Sequence, residues 1–210
     1  LEELKPEILL TIGQNVVSKK IKAFFRNHSP EHHWHIDENW HPDTFQCLTE
    51  KVKSNPIDFL EKFVPHIFPQ KTDYYKKWNS IRLEKEEKQK DFAKNTAFSD
   101  FKVFEKLIET YPKNSVIQYA NSSVIRYAQL FDHDEQQKIF CNRGTSGIDG
   151  STSTAAGASI ATDHQTILVT GDISFFYDSN GLWNPYIPKN FRIILINNGG
   201  GNIFKIIPGP

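Results

Sequence analysis

The sequence has no methionine, only two cysteines and no net charge. Cys47 and Cys141 lie far apart without a CxxC spacing, which argues against a disulfide framework or a thiolate zinc site and favours a reducing, cytoplasmic location. The 25 Lys and Arg residues balance the 25 Asp and Glu residues, so no broad cationic surface is available for nucleic acid. No apolar run approaches the roughly 18 residues that span a bilayer. We therefore expect neither a nucleic-acid partner nor a membrane span.

Both ends of the sequence resemble the interior of a longer protein. The first four residues, Leu1 to Leu4, show neither an initiating methionine nor the basic and apolar regions of a signal peptide. The last three, Pro208 to Pro210, directly follow an apolar, glycine-rich segment that is typical of the middle of a fold. A length of 210 residues suffices for one or two domains with a real core. We expect an internal piece of a longer chain.

The N-terminal part has the pattern of a strand, a helix and a second strand. Residues 7–13 form an apolar run ending in glycine, which is typical of a strand buried on both faces of a parallel sheet. Apolar residues then recur at helical spacing over 17–27, and residues 33–37 read as the next strand. A further helix is predicted from Pro56, which suits a first helical turn, to Pro65, which stops it.

A charged segment at residues 69–95 predicts a solvated, partly helical connector between domains 1–68 and 96–210. The second domain opens with a helix over 101–111 that Ser99 caps and Pro112 ends. After it, strands alternate with helices: strands at 116–120, 138–141, 166–171 and 192–196, helices at 123–131, 151–160 and 174–184. This alternation predicts a three-layer α/β fold, in which mostly parallel sheets carry helices on both faces.

Ligands of such folds bind at the carboxyl ends of strands, and the loops there have unusual content. Residues 121–123 precede a helix that carries Arg126, although a helix cap plus an exposed arginine explains this loop equally well. Residues 142–150 hold three glycines, a density that permits close backbone approach to a ligand. We expect these loops to open on one edge of the sheet.

Two further strand ends suggest a metal site. Gly171-Asp172-Ile173-Ser174 closes one strand, and residues 197–202 close the next, with Asn197 lying 25 residues (197 − 172) after Asp172. A carboxylate, an amide oxygen and a backbone carbonyl of the glycine turn are hard ligands of the kind that Mg²⁺ prefers. Ser174 and the N–H groups of the following helix start are predicted to contact diphosphate oxygens.

These residues resemble the metal and diphosphate motif of thiamine-diphosphate enzymes. More narrowly, residues 142–150, 171–174 and 197–204 resemble the MenD family of menaquinone biosynthesis. The resemblance covers most of the chain: residues 1–68 are similar to the later half of the central domain of the family, and 96–210 to the front of its cofactor-phosphate domain.

The resemblance implies roles for individual residues. Mg²⁺ or Mn²⁺ would be bound by Asp172, the Asn198 side chain and the Gly200 carbonyl, although Gly199 replaces an Asn or Asp that is common in the family. The cofactor would contact Gly171, Asp172, Ile173, Ser174, Asn198 and Ile148, with Ile148 holding it bent. The substrates would contact Ser122, Arg126, Arg143, Ile203 and Phe204. A guanidinium fork suits carboxylates, so Arg126 and Arg143 are expected to bind those of the substrates.

The implied reaction is decarboxylation of 2-oxoglutarate followed by carbon–carbon bond formation with isochorismate, in a homodimer or homotetramer. In this family the glutamate that activates the cofactor comes from an N-terminal domain of a partner subunit. The resemblance therefore assigns that role to no residue of this chain. The 210-residue piece is therefore expected to be inactive alone. The alternative is a non-catalytic, nucleotide-binding regulatory α/β module whose loop 199–201 holds a phosphate, although neither nucleotide-binding glycine motif is present.

Three other groups of residues have simpler interpretations. His33 and His35 share a strand face near His32, and a solvent-facing strand or an interface is favoured over a zinc site. Ser146 and Ser153 have no His and Asp partners at a spacing that would indicate a nucleophilic site, which favours structural roles for both serines. The aromatic residues Phe175, Phe176, Tyr177 and Trp183 are expected in a core or a subunit interface.

Overall fold

A computed structural model of the chain describes residues 2–13, 16–68 and 70–206. Its two compact units comprise Leu1–Lys90 and Asp91–Pro210, and each contains its own parallel sheet. The α/β class with parallel sheets is as the sequence predicts. The Pro208 to Pro210 segment lies outside the described residues. Among the described residues, no helix combines the length and apolar character needed to cross a membrane.

The sheet of the first unit has the strand order β1-β2-β3, with β1 at Ile8–Ile12, β2 at His32–Asp37 and β3 at Glu50–Lys53. The predicted strand–helix–strand unit is confirmed, because β1 and β2 pair in parallel and α1 (Lys19–Asn27) connects them. The expectation that the first strand is buried on both faces is wrong. It is an edge strand of the described sheet, and Ile8 and Ile12 are about half exposed.

The helices of the first unit begin where local capping groups are present. Ser18 accepts a hydrogen bond from the Ile21 N–H (3.3 Å) at the start of α1. Asn55 accepts one from the Ile57 N–H (2.9 Å) at the start of helix α2 (Pro56–Phe63), and a 3₁₀ turn follows that helix. The remaining elements are the 3₁₀ turns Glu2–Leu4 and Val64–His66, helix α2 at Pro56–Phe63 and helix α3 at Tyr74–Asn95.

The charged segment is more regular than expected. It forms one continuous helix of 22 residues, α3, rather than a partly helical connector. Exposed pairs one turn apart, such as Lys77 with Asp73 (3.2 Å) and Lys88 with Glu84, lie along it. These pairs are exposed and screened by solvent, so each adds only a little to the stability of the helix.

The sheet of the second unit has the order β5-β4-β6-β7, and all three pairings are parallel. Its strands are β4 at Val116–Tyr119, β5 at Lys138–Cys141, β6 at Thr166–Gly171 and β7 at Phe191–Ile196. Its helices are α4 at Asp100–Thr110, α5 at Ser123–Ala128, α6 at Ser151–Ile160, α7 at Asp172–Tyr177 and α8 at Ile203–Ile206, with a 3₁₀ turn at Ser179–Leu182. The central strands β4 and β6 are almost entirely buried, as strands covered on both faces should be.

Three details of the second unit differ from expectation. Ser99 occupies the N-cap position of α4, but its side chain makes no capping hydrogen bond. Helix α5 ends at Ala128, three residues early. The helix predicted over 174–184 begins earlier, at Asp172, and breaks after Tyr177 into the 3₁₀ turn. The break follows from Asp178, which leaves the helix to cap another one.

Candidate functional site

The carboxyl ends of the four parallel strands of the second unit meet at one edge of the sheet. Gly171 at the end of β6 pairs with Ile196 at the end of β7, so the loops after these strands leave side by side. A cavity of about 350 Å³ lies there. Nine of the predicted site residues line it: Ser122, Ile148, Gly171, Asp172, Ile173, Ser174, Asn198, Ile203 and Phe204. The structure therefore brings together residues from four separate loops.

The glycine turn after β7 lies against Asp172. Gly199, Gly200 and Gly201 all have positive φ, at +79°, +74° and +65°, a conformation that favours glycine. A Cβ atom on Gly200 would lie 3.0 Å from Ile173 Cδ1 and 4.0 Å from Asp172 Oδ2. A side chain at position 200 would therefore press on Ile173, and the Gly200 backbone lies near the Asp172 carboxylate.

The Asn198 side chain is held in a defined orientation. Its amide nitrogen donates a hydrogen bond to Asp100 Oδ2 (2.7 Å), at the first residue of α4. The carbonyl of Asn198 accepts a hydrogen bond from the Asn202 amide (2.8 Å), which stabilises the turn. Asp100 was not predicted from the sequence, because it lies 98 residues from Asn198 and forms no motif with it.

The donor atoms at this edge fit a small, hard cation. The Asp172 carboxylate accepts the Ile173 N–H on one oxygen, Oδ1 (2.8 Å), and lines the same cavity as Asn198. The Gly200 backbone lies beside it. Within the described parts of the chain, no group of three or more His, Cys, Asp and Glu side chains is placed to hold a metal. A cation here would depend on one carboxylate together with amide and carbonyl oxygens, which is a donor set that suits Mg²⁺.

Ser174 has a partner that its predicted diphosphate role did not include. The side chain is buried, and its hydroxyl donates a hydrogen bond to the Ile148 carbonyl (2.5 Å). A hydroxyl has one proton to donate, so in this arrangement none remains for a diphosphate oxygen. The bond instead connects the start of α7 to the glycine-rich loop and fixes the backbone of Ile148 at the cavity wall.

Asn121 organises the glycine-rich loop 142–150. It is 1% exposed, and its amide nitrogen donates hydrogen bonds to the carbonyls of Asn142 and Gly147, the latter at 2.6 Å. Its amide oxygen accepts a hydrogen bond from Arg143 Nη1 (2.9 Å). A buried amide that satisfies three loop groups at once holds the loop in a single conformation. The sequence placed Asn121 at a strand end but gave no indication of these contacts.

The two predicted arginines lie outside the set of residues that lines the cavity. Arg143 reaches the cavity wall through its bond to Asn121. In the described part of the structure, the Nε atoms of Arg126 and Arg143 are buried without a hydrogen-bond partner.

Burial raises the pKa of the neighbouring Cys141 thiol to about 11, against the opposing effect of the Arg143 charge. The raised pKa keeps this thiol protonated at pH 7.

Two of the three histidines of β2 are buried, so the expectation of a solvent-facing strand is wrong for His33 and His35, and the alternative of an interface stays a prediction. His33 and His35 are 1% and 3% exposed, and both ring systems contact the Thr11 hydroxyl at 2.9 Å, through His33 Nε2 and His35 Nδ1. Burial is the main cause that lowers the pKa of each. His32 is exposed.

The remaining predicted residues divide between structural and surface positions. Ser153 lies in the first turn of α6, where its N–H and hydroxyl donate to Asp178 at 2.7 Å and 2.5 Å, so its structural role agrees with expectation. Ser146 is exposed in the loop and donates to the Arg143 carbonyl (3.4 Å). Of the aromatic residues expected in a core or a subunit interface, three are largely exposed, so a core position is excluded for them and the subunit interface stays a prediction: Phe176, Tyr177 and Trp183. Phe175 is half-buried.

Comparison with known proteins identifies long matches to one kind of synthase. The 2-succinyl-5-enolpyruvyl-6-hydroxy-3-cyclohexene-1-carboxylate synthase of Flavobacterium johnsoniae is 54% identical over 208 residues, which are 99% of this chain and 38% of that protein. The synthase of the same name from Flavobacterium psychrophilum is 53% identical over 205 residues, or 98% and 37%. That of Bacteroides thetaiotaomicron is 40% identical over 208 residues, or 99% and 36%. The chain thus spans little more than a third of the length of the curated relatives it matches.

A solved structure supports the fold. The thiamine diphosphate-dependent 4-hydroxybenzoylformate decarboxylase of Rhodococcus jostii RHA1 matches with a TM-score of 0.57 and 17% identity, over 92% of this chain and 36% of that one. At this identity the match concerns the fold alone. No protein-family model matches the chain.

Proposed function

We propose that the chain belongs to the family of 2-succinyl-5-enolpyruvyl-6-hydroxy-3-cyclohexene-1-carboxylate synthases and that the whole protein is such a synthase, dependent on thiamine diphosphate and Mg²⁺. The reaction is the decarboxylation of 2-oxoglutarate and the addition of the resulting succinyl unit to isochorismate, in menaquinone biosynthesis. The observation that carries the proposal is a cavity at the strand ends that gathers Asp172, Asn198 and Ile148 from three loops.

In this proposal the edge of the sheet holds the metal and the cofactor diphosphate. Asp172, the Asn198 amide oxygen and the Gly200 carbonyl bind Mg²⁺, with Mn²⁺ as a substitute. Gly171 and Ile173 flank the diphosphate, and the closeness of Gly200 to Asp172 supports a shared ion. Thiamine diphosphate, when bound, supplies the electron sink that loss of carbon dioxide requires.

The loop residues position the cofactor and exclude water. Ile148 would support the cofactor in a bent conformation. The hydrogen bond from Ser174 to the Ile148 carbonyl keeps Ile148 at the cavity wall. The Ser174 hydroxyl thereby acts through Ile148, and the position of Ser174 at the start of α7, in the cavity that Asp172 lines, keeps it in the proposed diphosphate site. Ile203 and Phe204 form an apolar wall, and the exposure of Phe204 leaves it free to cover a bound molecule.

The arginines bind the carboxylates of the two dicarboxylic substrates in this proposal. Arg143 is anchored through one guanidinium nitrogen to Asn121, which leaves its remaining N–H groups to pair with a carboxylate. Arg126 and Ser122 lie on the neighbouring loop and helix after β4. Bidentate binding of a carboxylate by a planar guanidinium distinguishes arginine from lysine.

The test is calorimetric titration of the whole protein with thiamine diphosphate, with and without Mg²⁺. We expect binding that requires the metal and is abolished by Asp172→Ala, because this substitution removes the only carboxylate of the proposed ligand set. Binding of a nucleotide in preference to thiamine diphosphate, with no dependence on Mg²⁺, would instead favour the regulatory module.

The assembly and the location of the protein complete the proposal. We expect a homodimer or homotetramer in the cytoplasm, and the exposed Phe176, Tyr177 and Trp183 supply apolar surface for a subunit contact. We also expect the 210-residue chain to be inactive by itself. Turnover of 2-oxoglutarate with isochorismate by the isolated chain would refute that expectation.

A further inference from the structure

The contact between Asp100 and Asn198 fixes which end of an amide faces the proposed metal. A carboxylate only accepts hydrogen bonds, so the nitrogen of the Asn198 amide, and not its oxygen, must face Asp100. The 2.7 Å separation between Asn198 Nδ2 and Asp100 Oδ2 is that of a charge-assisted bond. The amide oxygen is thereby directed away from α4, on a side chain that lines the cavity with Asp172.

Orientation matters here because an amide is nearly symmetric in shape but not in chemistry. Its oxygen can ligate a cation, whereas its N–H₂ group would present protons to the ion. Without a fixed partner the two orientations fit the same space, and a fraction of the molecules would present the wrong end. Ligand groups in metal sites are commonly oriented by such outer partners, whose loss typically weakens metal binding by about 10-fold to 100-fold.

We infer that Asp100 is a positioning residue for the metal, acting through the amide of Asn198. This inference rests on the proposed metal site and adds a residue from α4 to it. Asp100 is well placed for the role, because it begins an 11-residue helix whose Phe104 and Ile108 are buried in the core of the second unit. A carboxylate on a packed helix is a more rigid anchor than one on the glycine turn itself.

The experiment measures Mn²⁺ affinity of the whole protein by electron paramagnetic resonance, at saturating thiamine diphosphate. Asp100→Ala is expected to weaken Mn²⁺ binding about tenfold. Glu109→Ala is the matched control, because it removes a carboxylate from the same helix at an exposed position, where Glu109 pairs with the exposed Lys106 at 3.0 Å. This control should bind Mn²⁺ within twofold of the unmodified protein.

A second background separates orientation from charge and from folding. Asn198→Asp replaces the amide by a carboxylate, in which both atoms are oxygens and orientation no longer matters. In that background, adding Asp100→Ala should leave Mn²⁺ affinity unchanged or increase it, because it also removes a like charge. If Asp100 merely held α4 in place or contributed charge, its removal would weaken binding equally in both backgrounds.

Three results would overturn the inference. One is Mn²⁺ binding by Asp100→Ala within twofold of the unmodified protein. The second is an equal loss of affinity in the Asn198 and Asn198→Asp backgrounds. The third is absence of Mn²⁺ binding by the unmodified protein itself, which would overturn the proposed function as well and is thereby distinguished from the first two.

Discussion

Removal of the Asp178 carboxylate should destabilise the second unit by an amount that the structure allows us to estimate. Asp178 is 7% exposed and accepts hydrogen bonds from the N–H and the hydroxyl of Ser153 in the first turn of α6. The N-cap residue of this helix is Gly150, whose φ is +70° and which has no side chain to cap with. Asp178, 25 residues after Ser153, therefore supplies the cap that Gly150 lacks.

The magnitude follows from the bonds that are lost. Hydrogen bonds to a charged group contribute about 1.5–3 kcal/mol, and an N-cap contributes about 0.5–2 kcal/mol. Because both bonds share one carboxylate, we expect Asp178→Ala to lower the free energy of unfolding by about 3 kcal/mol, and Asp178→Asn by about half of that. The loss affects the core, since α6 contributes Ala155 and Ala156 to a cluster with Leu168 and Phe191.

Urea-induced unfolding of the whole protein, followed by far-ultraviolet circular dichroism, measures this effect. Asp163→Ala is the control, because Asp163 is exposed just after the other end of α6. Its removal should change the free energy of unfolding by less than about 0.5 kcal/mol. The reasoning would be refuted if Asp178→Ala differed from this control by less than about 0.5 kcal/mol.

Two further predictions concern substrate binding and pH. Arg143→Ala in the whole protein should raise KM for 2-oxoglutarate or isochorismate at least tenfold while changing thiamine diphosphate affinity less than twofold. Arg82→Ala is the control, because Arg82 is exposed. Equal losses of substrate affinity and of cofactor affinity would contradict a carboxylate-binding role. Because burial lowers the pKa of His33 and His35 below their usual 6.5, unfolded chains take up protons first as the pH falls. Stability should therefore be complete above about pH 6.5 and decline below it, and His35→Gln should flatten the dependence of the urea midpoint between pH 7 and pH 5. An unchanged slope would count against this cause.

The sequence identified most of the second unit because its local signals agree with its packing. Strands such as β4 and β6 are short apolar runs that are buried on both faces, and the residues that follow them are glycine, Asp and Asn, which mark ligand loops. The strands of the first unit were harder to predict from the sequence. Strand β3 has a single apolar residue, Val52, so the apolar pattern did not predict it. Strand β1 is apolar yet lies at an edge, so its composition predicted too much burial.

The parts of the site that were missed depend on contacts between residues distant in the chain. Asp100 meets Asn198 and Asn121 meets Gly147 only after the sheet has formed, and neither pair has a recognisable spacing. By its chemistry, the Ser174 hydroxyl could donate a hydrogen bond to a diphosphate oxygen or to a backbone carbonyl equally well. Only the position of Ile148 decides between them.

Diffraction from crystals of the whole protein, grown with thiamine diphosphate and Mn²⁺, tests the central claim most directly. An anomalous peak should lie about 2.2 Å from a carboxylate oxygen of Asp172, the amide oxygen of Asn198 and the carbonyl oxygen of Gly200, as expected for small hard cations. The diphosphate should complete its coordination. A peak bound by Asp172 without Asn198, or located away from this edge of the sheet, would contradict the account.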